Sequence, residues 1–112
     1  MTWAFGLPSK IMRICFHLRV KPERLAEYRE IHREVWPEVL AELKAAGVRD
    51  YSIYYWQDGH EFGVLECDDW PSVQRHLGSS ETMRRWEEFM ADYLDTPMGQ
   101  EGPAVLEEIF RL

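Results

Sequence analysis

Residues 11–20, IMRICFHLRV, place Ile14, Phe16, Leu18 and Val20 at every second position, with Arg13, Cys15, His17 and Arg19 between them. Successive side chains of an extended chain point to opposite faces, so this period of two describes a strand with one buried face. Two further β-prone runs, YSIYYW at 51–56 and EFGVLEC at 61–67, are joined by Gln57-Asp58-Gly59-His60. Asp-Gly readily adopts the positive φ angles of a tight hairpin, so these runs are predicted to pair antiparallel. VLEEIFRL at 105–112 is predicted as a closing strand.

Between the first strand and the hairpin the apolar period changes. Leu25, Tyr28, His32, Val35, Trp36, Val39, Leu40 and Leu43 recur at the three-and-four spacing of a helix with one inward stripe. Pro22 opens this stretch, Glu23 and Glu27 suit its positive end, and Gly47 follows its finish at Ala46. Pro37 interrupts it, because proline cannot donate to the preceding turn and clashes with it; a kink or a break into two helices is predicted just before it. Pro71 to Leu77 reads as a short helix stopped by Gly78. Ser79 or Ser80 can cap another helix running to about Leu94, with Met83, Trp86, Phe89, Met90 and Tyr93 facing inward. Asp95 to Pro103, with two prolines and two glycines, is loop.

The order β-α-β-β-α-β predicts an α+β domain of the ferredoxin-like type over residues 11–112, with residues 1–10 as an N-terminal extension. Helices on one side leave the other sheet face to be covered. Ile11, Cys15 and Leu65 are expected there among Arg13 and Arg19, so two chains are expected to meet as a homodimer, sheet to sheet or edge to edge. Twenty acidic against 13 basic residues give a net charge of −7, which repels phosphate backbones and anionic lipid. Neither nucleic acid nor a membrane is therefore an expected partner, and a neutral small molecule is. MTWAFGLPSK lacks the charged start and apolar core of a secretory signal, so the cytoplasm is the expected compartment. Cys15 and Cys67 lie about fifty residues apart without redox or metal spacing and read as buried small hydrophobes.

Tyr28 and His32 sit four residues apart on the inward stripe and so stack along one helix face, with Trp36 continuing the line. A buried phenol or imidazole needs a hydrogen-bond partner, which either the protein or a ligand supplies. Asp50 and Glu66, near strand ends, are candidates to orient the imidazole. His60, after the turn, reads as solvated, His76 as incidental, and His17 as a residue for the dimer contact. None of these histidines shows zinc spacing, and the chain lacks a phosphate loop, a dinucleotide-binding glycine turn and a Gly-X-Ser-X-Gly elbow. No metal or cofactor is expected. The five Trp, five Tyr and five Phe can pack a core or face a sugar ring.

The run EYREIHREVWPEVLAELKAAGVRDYSIY at 27–54 contains Tyr-X3-His-X3-Trp-Pro-Glu, then Gly and an Asp-Tyr-X-Ile-Tyr strand. Together with Arg85-Trp86, Met90 and the closing Ile-Phe-X-Leu, it resembles the L-rhamnose mutarotase family over residues 11–112. The resemblance implies a dimeric ferredoxin-like fold and cofactor-free interconversion of the α and β anomers of L-rhamnose or a related aldopyranose. It places the proton donor on His32 and sugar contacts on Tyr28, Tyr51 and Trp86. Histidine suits the task because its ordinary pKa of ~6.5 keeps both protonation states populated near neutrality. Two departures stand out. Trp86 is followed by Glu87 where well-known members carry a second tryptophan, so Glu87 either faces solvent or binds a hydroxyl. The loop 96–103 also lacks the Asn-Pro-Asp-Asn-Ser-Pro type of sequence. The same dimeric fold hosts cofactor-free monooxygenases, and a non-catalytic ligand-binding dimer is a third reading.

Overall fold

The computed structural model describes residues 11–95 and 103–112. Strands β1 (Met12–Arg19), β2 (Arg49–Trp56), β3 (His60–Cys67) and β4 (Ala104–Leu106) form one antiparallel sheet in the order β2-β3-β1-β4. Helices α1 (Leu25–Ile31) and α2 (Pro37–Ala46) connect β1 to β2, and α3 (Trp70–Gly78) and α4 (Glu81–Ala91) connect β3 to β4. This is the ferredoxin-like arrangement, an α+β fold as expected.

The predicted hairpin forms with Asp58 and Gly59 both at positive φ, 65° and 92°. Gly59 is required for space as well: its carbonyl accepts from the Val20 N–H at 2.8 Å, and a Cβ there would overlap the Val20 carbonyl. Gly63 lies directly opposite Phe16, and any Cβ would enter the Phe16 ring, so this glycine lets the ring lie flat on the sheet.

The long helical stretch is broken rather than kinked. After α1 comes a tight turn, His32–Glu34, and then Val35 and Trp36 are extended, with ψ of 140° and 129°. Proline excludes its predecessor from the helical region, so Trp36 must leave the helix and α2 restarts with Pro37 at its first position. Gly47 ends α2 in the left-handed conformation at φ 98°. Ser80 caps α4, accepting from the Met83 N–H at 3.2 Å while its hydroxyl donates to Glu42 on α2.

The core lies between the helices and the sheet face that carries Ile14, Phe16, Leu18, Leu65 and Cys67, with Val73 from α3 and Val48 beside them. Leu65 was expected on the open face; it sits opposite Ile14 and is buried. Both parities of EFGVLEC are apolar, so the run does not set its own phase, and the register against β1 decides it. The closing strand is also shorter than predicted. The ladder stops at Cys15↔Leu106, and Ile109 beyond it is 92% exposed. Adjacent Glu107-Glu108 and Ile109-Phe110 break the two-residue period, which leaves no face to bury.

On the opposite sheet face His17 and His60 share a hydrogen bond at 2.9 Å, and the His60 ring packs on Trp56. His60 is thus tied across the β1–β3 pair and not solvated as expected. Around the pair Tyr54 and Trp56 remain 60% and 59% exposed. Cys15 is half-buried on this second face and Cys67 is buried in the core; both are free thiols. Among the described residues no helix is long and apolar enough to cross a membrane.

Candidate active site

Because the helical connection breaks at Val35–Trp36, α1 and α2 diverge over the sheet and leave a cavity of about 640 Å³ between sheet, α1, α2 and α4. This lies within the range of about 300–1,000 Å³ typical of small-molecule sites. Tyr28, His32, Tyr51 and Trp86, the four residues singled out in the sequence, all line it. Leu40, an expected core position, is half open because it borders this space. Pro103 also lines it, while residues 96–102 of the adjoining loop lie outside the described residues.

His32 caps the end of α1. Its Nδ1 lies 2.8 Å from the Tyr28 carbonyl oxygen, which can only accept, so Nδ1 carries a proton and Nε2 is the nitrogen left to gain or lose one. The ring packs on Tyr28, centroids 4.3 Å apart, and meets the edge of Trp86 at 6.0 Å. Neither Asp50 nor Glu66 orients it: Glu66 accepts from the Arg13 guanidinium at 2.8 Å on the opposite sheet face, and Asp50 lies at the β2 irregularity with φ 49°. A backbone carbonyl one helical turn back does the orienting. His76 hydrogen-bonds Glu42 at 3.2 Å between α3 and α2, away from the cavity.

The carboxylate that does reach the site is Glu61, which sequence reading missed. It is 1% exposed, stands opposite Leu18 on β1 and Tyr55 on β2, and accepts from the Tyr28 hydroxyl at 2.5 Å. Removing an ion from water costs several kcal/mol even after relaxation, so desolvation raises the Glu61 pKa, partly opposed by the Tyr28 hydrogen bond and the charge of His32. The Tyr28 phenol is likewise pushed up, by burial first and by Glu61 second, and holds its proton firmly. A signal existed. Glu61 shares the parity of Leu65 and Cys67, and a carboxylate in phase with buried positions marks a site, but only once the strand's phase is known.

Tyr51 keeps 36% of its surface, faces the cavity and packs on Phe16 at 6.0 Å. Its phenol is also pushed up, by desolvation and then by the nearby Glu61 charge. Trp86 forms the far wall with Trp36 edge-on at 5.0 Å, and Phe89 stacks on Trp36 at 5.3 Å. Glu87 lines the cavity as well, and partial burial raises its pKa. No cluster of three or more metal-binding side chains occurs among the described residues. The arrangement is one of proton-bearing groups, an imidazole and a phenol–carboxylate pair, along an aromatic pocket.

A sequence profile described as L-rhamnose mutarotase matches residues 13–112. The chain belongs to the L-rhamnose mutarotase family. A relative in Burkholderia orbicola (strain MC0-3), named L-rhamnose mutarotase, is 39% identical over 103 residues, covering 88% of this chain and 96% of the relative. The crystal structure of L-rhamnose mutarotase from Formosa agariphila superposes with a TM-score of 0.77 at 27% identity, covering 90% of this chain and 98% of that one. Tetracenomycin F2 cyclase from Streptomyces glaucescens, at 21% identity and a TM-score of 0.63, covering 90% and 96%, shares the fold alone. Membership of the mutarotase family favours an isomerase over the cofactor-free monooxygenase and the non-catalytic dimer.

Proposed function

We propose that this protein interconverts the α and β anomers of L-rhamnose, with His32 as the acid that opens the pyranose ring. The observation that carries the reading is the commitment of Nδ1 of His32 to the Tyr28 carbonyl, which leaves Nε2 to exchange a proton inside a cavity of sugar size. Protonated Nε2 delivers its proton to the ring oxygen as the bond from that oxygen to C1 breaks. The anomeric hydroxyl loses its proton, and C1 becomes an aldehyde. Rotation about C1–C2 presents the other carbonyl face, and the reverse transfers close the ring.

Tyr28 contacts the anomeric hydroxyl, Tyr51 a second hydroxyl, and the Trp86 wall takes the apolar face and the methyl group of a 6-deoxy sugar. Two chains pair through the exposed aromatic sheet face around Tyr54 and Trp56. Two free thiols suit a reducing compartment, the cytoplasm. The decisive test is anomer exchange on purified protein by NMR saturation transfer. His32→Ala is expected to lower kcat by about 10²–10⁴-fold with the circular dichroism spectrum unchanged. Wild-type exchange in that variant overturns the assignment.

A further inference from the structure

Ring opening moves two protons, and His32 accounts for one. The second leaves the anomeric hydroxyl, and the group placed to receive it, the Tyr28 oxygen, already holds a proton that it directs at Glu61 from 2.5 Å. A phenol so placed cannot keep two protons. It can take one on its oxygen only if its own passes onward.

We propose that Glu61 is the proton acceptor behind Tyr28, so that the anomeric proton moves to the Tyr28 oxygen as the Tyr28 proton moves to a Glu61 oxygen. This rests on the mutarotase reading. The balance closes without a co-reactant: the O1–H and C1–ring oxygen bonds break, the C1=O bond forms, His32 loses one proton and Glu61 gains one. Reclosure returns both. Glu61 has no other described side-chain hydrogen-bond donor, and it acts through Tyr28 as a positioning and proton-accepting residue.

Three further observations support the relay. Glu61 is the second residue of β3, on the inward face with Leu65 and Cys67 in phase with it, where an apolar side chain would be the more stable choice. Burial raises its proton affinity above that of an ordinary carboxylate, which favours it as a proton acceptor. The charge of His32 also reaches Glu61, so the acid and the acceptor are electrostatically linked across one cavity.

The test measures kcat, KM and pH profile for wild type, Glu61→Gln and Glu61→Leu. Glutamine still accepts from Tyr28 but cannot take the proton. The ionisable groups lining the cavity with Glu61 are Tyr28, Arg29, His32 and Arg33, Tyr51 and Tyr55 from β2, and Glu87 from α4. Ionised Glu61 is the active form, so the wild-type rate falls on the acid side as Glu61 protonates, and this limb is expected to vanish in Glu61→Gln. kcat is expected to drop by about 100-fold with KM nearly unchanged, and Glu61→Leu to fold and be equally slow. Wild-type kcat and an unchanged acid limb in Glu61→Gln, while His32→Ala is inactive, overturn the relay and leave the mutarotase reading standing. No exchange by wild type on any aldose overturns both.

Discussion

Replacing Tyr28 by Phe removes one oxygen and leaves the ring, so it isolates the bond to Glu61. That carboxyl is 1% exposed, and its hydrogen bond from Tyr28 is 2.5 Å long, so the substitution removes the donor that a buried carboxyl relies on. Where Glu61 is protonated, the loss is that of a neutral hydrogen bond, about 1 kcal/mol. The folded pKa of Glu61 is raised, so its contribution to stability is largest below the unfolded value of ~4.3 and is lost as pH rises through the folded value. The Tyr28 bond opposes this rise. Without it the folded pKa climbs further, and each added unit costs about 1.4 kcal/mol once pH exceeds it. A larger penalty is therefore expected at pH 8 than at pH 5. Urea unfolding followed by circular dichroism at pH 5 and pH 8, at one protein concentration, measures both values. In Tyr28→Phe with Glu61→Leu the pH-dependent part should disappear, because no buried carboxyl remains. An equal penalty at both pH values, or none relieved by Glu61→Leu, would refute the reasoning.

Two other expectations follow from the pocket wall and the open sheet face. Trp86→Ala removes the ring that meets both His32 and Trp36, so KM for the sugar should rise about tenfold or more by steady-state anomer exchange, with a stability loss of about 3 kcal/mol. Trp56→Glu places a charge in the exposed aromatic face, so sedimentation is expected to give a single folded chain for the variant and the proposed pair for wild type.

Several elements can be read directly from residue order. The alternation through Ile14, Phe16, Leu18 and Val20, the Asp58-Gly59 turn and the Pro37 interruption each act through neighbours a few positions away, and each appears in the structure where local physics puts it. The pairing of Tyr28 with His32 is local in the same sense, since four residues make one helical turn and their rings stack at 4.3 Å. The other half of the site is not local. Glu61 meets Tyr28 across 33 positions of chain, and Asp50 and Glu66, which looked equally able to orient an imidazole, are turned away from it.

What the chain determined by itself was the kind of each element, the helix break and the stacking of Tyr28 with His32, because these depend on backbone sterics and on spacing within a turn. The tertiary structure alone decided which face of β3 is inward. A strand apolar on both sides carries no phase of its own, and a register shift of one residue would have sent Glu61 to the open face and Phe62 into the pocket. The match of His60 to Arg19 and Cys67 to Met12 along β1 settles that choice, and with it the presence of a carboxylate behind the phenol.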